Sequence, residues 1–391
     1  MYTIRCELPV NREPWNTTLE YRCGILKNAH KNGKKIAAML YQQADTSTFR
    51  YRCYNVAQST ERSQTWQSVY FFMNELHVLE TLLPCINVLI LTRLKWQHSL
   101  DTLVLKARSK NIPVLYDIDD LVCNTKYIKL VTNTLNVHFG GEVDYDFWFA
   151  YFSRLEQAAQ LADGFLTTND YLGQKLQDRF QKPYQIIINS LNLEQLEVSS
   201  RCVVEKQKKT TKRPFEVGYF SGTPSHINDF KVVASEIVEL LRDCPDMILK
   251  VVGFMEFPDV MQPLIKAGKI QFAPLVDFLE LQKLIAQVDI NIVPLVQNTF
   301  TNCKSELKFF EAAAVNTVTV ATPIYTYKNA IEHGKTGFLC EQGQWYGCIK
   351  DLYNKKSDLS ALIQNAREYC IHKYSGESFL KQIEDAYESF L

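Results

Sequence analysis

The sequence carries no excess of charge. Its 43 lysines and arginines balance 43 aspartates and glutamates, so a bulk electrostatic pull toward nucleic acid is not indicated. It has no apolar run long enough to cross a bilayer, and the run around Ile86–Thr92 is of strand size. It has no secretory pattern at its start, where Met1–Pro14 is polar and carries Arg5, Glu7, Arg12 and Glu13. Its eleven cysteines are odd in number and include no C-x-x-C pair. Scattered thiols in a reducing cytoplasm explain that pattern better than a disulfide framework or a zinc site. No P-loop, Ser-His-Asp arrangement or nucleophilic cysteine context stands out.

What is present is globular. With 46% hydrophobic residues over 391 positions, two domains of roughly 150–200 residues are expected. A polar lead-in, 1–33, is partly helical around Leu19–Asn32. Strand-sized runs then recur at Lys34–Gln43, Ile86–Thr92, Pro113–Tyr116, Gly164–Thr167 and Tyr184–Ile188. Helical stretches are expected between them, at Gln67–Leu83, Ser99–Lys110, Tyr145–Ala162 and Asp170–Phe180. Arg201–Arg213 holds six basic residues against one glutamate. With no aromatic platform beside it, the segment reads as a solvated loop at the domain boundary.

The alternation restarts after it. Strands are expected at Phe215–Gly222, Met247–Gly253, Ile270–Phe272, Val288–Leu295 and Val318–Ala321, and helices at Lys231–Arg242, Asp277–Gln287 and from about Asp358 to the end. Each half therefore reads as a doubly wound parallel α/β sheet, with ligands expected at the carboxyl ends of the strands.

The most informative segment is Ser305–Thr322, SELKFFEAAAVNTVTVAT. Lys308 falls in the first turn of a short helix, where the macrodipole disfavours a cation unless an anion is near. Glu311 lies three residues on, on nearly the same face. The pair suits a phosphate plus a sugar hydroxyl, and an i,i+3 surface ion pair is the plain alternative. Three more loops leave strand ends nearby. Ser221, Gly222, Thr223 and His226 offer amides, hydroxyls and a close backbone approach to phosphate, or a simple turn. Gly253 ends a buried strand before Phe254 and Met255, where an apolar side chain suits a nucleobase, and Pro294–Thr299 is the last. In the first half, Asp117, Asp119 and Asp120 end a buried strand. They read as acceptor-hydroxyl ligands, a metal cluster or helix caps. Arg50, Arg52 and Arg93 offer charge to a phosphate-bearing or acidic acceptor, or ion pairs to those aspartates.

In order, GYFSGTPSHINDF, AQVDINIVPL, SELKFFEAAAVNTVTVAT and IEHGKTGFL resemble the donor-binding domain of glycosyltransferase family 4, the retaining GT-B enzymes. TSTFRYRCYN, VLYDIDDL and IIINSLN resemble first-domain segments of a bacterial and viral subgroup of that family. The resemblance implies a nucleotide-sugar donor, Glu311 on its ribose, and Lys308, Gly222 and their neighbours on its diphosphate, with Asp119 and Asp120 beside the reacting groups. It departs from the family's E-x7-E pattern, since Cys303 stands where the first glutamate would be and Glu306 is out of register. It implies an acceptor-binding domain at 34–198, a linker at 199–213, a donor domain at 214–372 and a terminal helix at 373–391 packing near or crossing back to the first. No metal or other cofactor is expected. The acceptor is a glycan or a lipid- or protein-linked chain, and peripheral membrane association is left open. A non-catalytic glycan- or partner-binding module and another GT-B enzyme, an epimerase or polyol-phosphate transferase, are the rivals.

Overall fold

The computed structural model describes residues 13–137, 139–208, 213–222, 227–354 and 359–391. The first sheet comprises β1 (Lys35–Tyr41), β2 (Trp66–Phe72), β3 (Val88–Thr92), β4 (Val114–Ile118), β5 (Gly164–Thr167) and β6 (Tyr184–Ile186), in the order β2-β1-β3-β4-β5-β6. The second comprises β7 (Phe215–Ser221), β8 (Met247–Gly253), β9 (Ile270–Ala273), β10 (Ile290–Val293), β11 (Val318–Ala321) and β12 (Phe338–Leu339), in the order β12-β11-β10-β7-β8-β9. Every pairing is parallel. Helices cover both faces of such sheets, which is why β3 and β10 are buried at every position and read as largely apolar runs.

The strand order fixes where a ligand can enter. The direction in which successive strands are added across the sheet reverses between β1 and β3 in the first sheet and between β7 and β10 in the second. The loops after those strands therefore open into crevices at carboxyl ends. They include Thr48, Arg93, Ser221 and Pro294. The two sheets face each other over one continuous apolar core that joins Met39, Tyr51 and Trp66 to Phe278, Phe310 and Tyr374. Trp15 stacks on Phe278 at 5.8 Å across that seam.

The seam is also stitched by amides. Asn169 Nδ2 donates to the Cys303 carbonyl at 2.9 Å, Asn189 Nδ2 to Ser305 Oγ at 2.9 Å, and Asn298 Nδ2 to Thr134 Oγ1 at 2.9 Å. The final helix, Gly376–Glu388, lies on the first sheet's side. Glu388 takes Lys35 Nζ and Trp66 Nε1, and Tyr387 meets Ser68.

Three sequence expectations are corrected. Gln67–Leu83 is not one helix: Trp66–Phe72 is strand β2, and the helix is Leu76–Leu82. The apolar and aromatic residues Trp66, Val69 and Phe71 are buried in the strand, a β-former run that packing keeps extended. Arg201–Lys208 is not a loop but the end of the helix Leu193–Lys208, which buries Cys202 and Val203. Lys231–Arg242 is two helices, Ile227–Lys231 and Ala234–Asp243. A helix that sequence reading did not name, Trp345–Asn354, follows β12.

Candidate active site

The helix Leu307–Ala314 carries Lys308 in its first turn and Glu311 three residues on. Lys308 lies over the Tyr219 ring at 5.6 Å, beside the end of β7. Burial pulls its ammonium down to about 8, with Asp229 opposing and Lys304 adding to the fall. A desolvated ammonium next to a second lysine is a site short of negative charge. Asn291 Nδ2 holds the Lys308 carbonyl at 3.0 Å and Gln282 Nε2 the Glu311 carbonyl at 2.7 Å, so the helix itself is fixed.

Glu311 is nearly buried and is met from the first domain. Tyr51 Oη donates to its Oε1 at 2.5 Å, Gln195 Nε2 donates to the same oxygen at 3.2 Å, and Arg50 stands 3.7 Å from it. Lys308 and Glu311 are therefore not a surface ion pair. Sequence reading missed Tyr51 and Gln195. Tyr51 sat between the two arginines of FRYR, but nothing local links it to a helix 260 positions away.

The first-domain residues sort into two layers. Arg52 and Asp117 are buried and pair at 2.8 Å, with Arg52 also donating to the Ile187 carbonyl and to Asn189 Oδ1. Burial pushes the Asp117 carboxyl up to about 6, against the pull of Arg52. Both are enclosed and paired with each other, the ion-pair alternative of the sequence reading. Arg50 is likewise enclosed, donating to the Thr46 carbonyl and Gln195 Oε1.

Above them the mouth is half-open. Arg93 Nη1 meets Asp119 at 2.8 Å, Asp120 at 3.4 Å and Thr48 Oγ1 at 3.0 Å. Thr48 in turn donates to Asp119 Oδ2 at 2.8 Å. Arg93 holds φ at 46°, a left-handed backbone uncommon for a side-chain-bearing residue. Lys304 reaches across from the second domain to within 3.9 Å of Asp120. Each of the three aspartates thus faces a cation, and no described group of three or more acids, histidines or thiols is placed to hold a metal.

In the second domain, Ser221 is buried and Gly222 exposed at the end of β7. Gly253 has φ of 101°, and a Cβ on it would lie 1.8 Å from the Ser221 carbonyl oxygen. Only glycine lets those two strand ends touch. Phe254 follows, 44% exposed and free to face a ligand. Glu306 is buried and accepts from Tyr374 at 2.7 Å, and burial raises its carboxyl. Cys303 is buried among first-domain apolar residues. Thr223 and His226 lie outside the described residues.

Residues 215–355 match the family model of glycosyl transferases group 1. The chain is similar along 91% of its length to the Anabaena Alr3699/HepE structure in complex with UDP and glucose, at 12% identity, covering 100% of that chain with a TM-score of 0.60. A glycosyltransferase from Rickettsia africae ESF-5 gives 13% identity, coverage of 91% and 98%, and a TM-score of 0.61. Sucrose-phosphate synthase from Thermosynechococcus elongatus gives 12%, 91% and 99%, and 0.57. The chain has the GT-B fold. No curated protein sequence matches it. The GT-B cleft is the seam just described, between the carboxyl ends of β1, β3 and β4 on one side and β7, β8 and β10 on the other. No described helix is long and apolar enough to cross a membrane.

Proposed function

We propose that this GT-B protein transfers a sugar from a nucleotide-sugar to a glycan or related acceptor, with retention at the anomeric carbon and without a metal ion. The observation that carries the reading is Lys308, desolvated beside Lys304 at the start of a helix that ends a β–α switch point. Lys308 feels Lys304 on one side and Asp229 and Glu311 on the other, and Lys304 is held only loosely by Asp120 at 3.9 Å; two lysines at a helix N-terminus suit a diphosphate. Anabaena Alr3699/HepE, similar along 90–91% of this chain, was solved with UDP and with UDP-glucose, which supports a nucleoside diphosphate donor here.

In this reading the diphosphate rests on the helix amides, Lys308, Lys304 and the Ser221–Gly222 turn. The ribose meets Glu311, and the base lies against Phe254 at Gly253. Departure of the diphosphate is eased by positive charge already in place. The acceptor hydroxyl attacks from the leaving group's face, and the departing phosphate takes its proton. Asp119 and Asp120, fixed by Arg93, border the acceptor. The exposed rings of Tyr145, Phe147 and Phe149, on the helix Glu142–Gln160, extend the acceptor side; sugar faces stack on such rings. The acceptor's linkage to lipid or protein, and work at a membrane surface in the cytoplasm, belong to the same proposal.

A second reading is favoured by Cys303 and Glu306. With the first glutamate absent and Glu306 tied to Tyr374, the usual grip on the transferred sugar is missing, as in a binding module. Thermal shift with nucleoside diphosphates, followed by donor hydrolysis in wild type and Glu311→Ala, separates the two. Nucleotide binding with hydrolysis lost in the variant supports the enzyme. Glycan binding without any nucleotide binding overturns it.

A further inference from the structure

The carboxylate proposed to hold the ribose is only half available. The hydrogen bonds of Tyr51 and Gln195 and the ion pair of Arg50 to the Glu311 carboxylate all end on Oε1. A carboxylate oxygen has two lone pairs in the carboxyl plane. On Oε1 these are used by the Tyr51 hydroxyl at 2.5 Å and the Gln195 amide at 3.2 Å. Two adjacent hydroxyls reach a carboxylate best with one oxygen each, because the two in-plane lone pairs of a single oxygen diverge too widely for neighbouring hydroxyls to share them, and only Oε2 remains.

Both donors are fixed in place. Tyr51 belongs to a π-helical turn, Arg50–Tyr54, a form that recurs at functional sites. Its ring is set edge-on to Phe310 at 6.5 Å and covered by the Arg50 guanidinium at 4.0 Å. Burial keeps its phenol protonated far above any working pH, so Tyr51 remains a donor. Gln195 has no freedom to flip. Its Oε1 accepts from Arg50 Nη1 at 2.8 Å, leaving Nε2 for Glu311, and its backbone N donates to Asn192 Oδ1 at 2.8 Å.

We infer that Tyr51, with Gln195, is a specificity-determining residue that limits Glu311 to one of the two ribose hydroxyls, so that the site accepts nucleotides lacking the other. This rests on the proposed ribose role of Glu311. A donor built on a deoxyribonucleoside is then a substrate class open to this protein, provided the missing hydroxyl is the one left unheld. Removing the Tyr51 hydroxyl returns a lone pair on Oε1 and restores a two-point grip.

The test uses the full chain and the ribose, 2′-deoxy and 3′-deoxy forms of ADP, GDP, CDP and UDP, with dissociation constants measured by calorimetry. For the base that binds best, one deoxy form should bind within about threefold of the ribose form. The other should be weaker by about tenfold or more, the usual effect of losing a hydrogen bond to a charged group. In Tyr51→Phe the tolerated form should also fall about tenfold behind the ribose form. A wild type that loses tenfold on both deoxy forms overturns the inference while leaving the nucleotide site standing, and needs no variant to fold. An unchanged ratio in a folded Tyr51→Phe overturns it too. Indifference to both hydroxyls removes the ribose role from Glu311, and with it the inference. Failure of every nucleotide to bind defeats the proposed function and the inference together.

Discussion

Lys304 Nζ, on the second domain, stands 3.9 Å from Asp120 Oδ1, on the first, and Asp120 is shared with Arg93 at 3.4 Å. Both members are about a fifth to a quarter exposed. At that distance and exposure the pair contributes only roughly 0.2–1 kcal/mol. It therefore sets the position of Lys304 without committing it, and an incoming diphosphate can take the lysine from the aspartate.

That competition is measurable. Asp120→Asn should tighten binding of a nucleoside diphosphate by roughly twofold to fivefold, the factor equivalent to the pair's small free energy. Calorimetry at low ionic strength reads it, and added salt should erase the gain because the groups are partly exposed. Weaker binding in the variant would mean that Asp120 orders Lys304 for the ligand instead of competing for it.

Lys308 makes donor binding depend on pH in a stated direction. Its pKa in the free protein is about 8, below the usual ammonium value near 10.4. A diphosphate binds the protonated form better, so affinity is complete below about pH 7 and falls as pH rises through 8. The unliganded fold shows the opposite sign. Between about 8 and 10.4 the unfolded chain binds more protons than the native one, so stability rises with pH there. Nucleotide-sugar dissociation constants from pH 6.5 to 9.5 check the first effect. In Lys308→Arg the slope should vanish, since a guanidinium keeps its proton; an equal slope in that variant would assign the titration elsewhere.

Gly253 offers a purely structural test. A methyl group there would sit 1.8 Å from the Ser221 carbonyl oxygen on a backbone with φ of 101°. Gly253→Ala must part the ends of β7 and β8 or strain both, at a cost of roughly 2–4 kcal/mol. Urea denaturation reads the loss, and nucleotide binding should fall with it because Ser221 and Phe254 move. A variant as stable as wild type would show that the turn has another conformation available.

The fold was legible because parallel strands buried on both faces leave apolar runs, and β3, β4, β5, β7, β10 and β11 all do so. β2 was not, since WQSVYFF passes directly into MNELHVLETLL and one continuous apolar stretch hides the change of period. The break is made by Glu75, whose carboxylate accepts the Phe72 amide at 2.9 Å while pairing with Arg22 at 2.6 Å. That is a contact with a residue 53 positions earlier. The basic run after Arg201 misled for a related reason. Charge dominates its composition, whereas Cys202 and Val203 decide its structure by packing. At the site, Lys308 and Glu311 were visible as odd charges on an apolar helix. The partners of Glu311 were not, because Tyr51 and Gln195 arrive from the other domain and leave no local spacing to read. Arg52 and Asp117 looked like a ligand set for the same reason: sequence shows that charges share a strand end, and only packing shows which are enclosed.

The enclosure of Arg52 and Asp117 yields a prediction whose size depends on pH. Removing one member of a buried pair leaves an uncompensated charge and costs about 3–5 kcal/mol, whereas replacing both by apolar residues costs far less. Arg52→Ala should therefore be severely destabilised at pH 8, and the double variant Arg52→Met with Asp117→Leu much less so. Asp117 supplies the further test. With Arg52 present, burial already holds its carboxyl at about 6. Without the guanidinium nothing opposes the burial, and the native pKa rises higher still. The unfolded carboxyl titrates near 3.9, so from about pH 4 up to that raised value the native variant binds the extra proton. Its stability then falls as pH rises through this window. Urea denaturation at pH 5 and pH 8 should show the penalty of Arg52→Ala growing with pH, and Asp117→Asn should cancel the pH dependence of that penalty. A penalty equal at both values would mean that Asp117 stays ionised when alone. The charge would then have to be held by solvent or by Asn189, and the layer beneath the cleft would not be dry. Because Asn189 also donates to Ser305 across the seam, that outcome would make the interdomain contact, and not the ion pair, the element that closes the site.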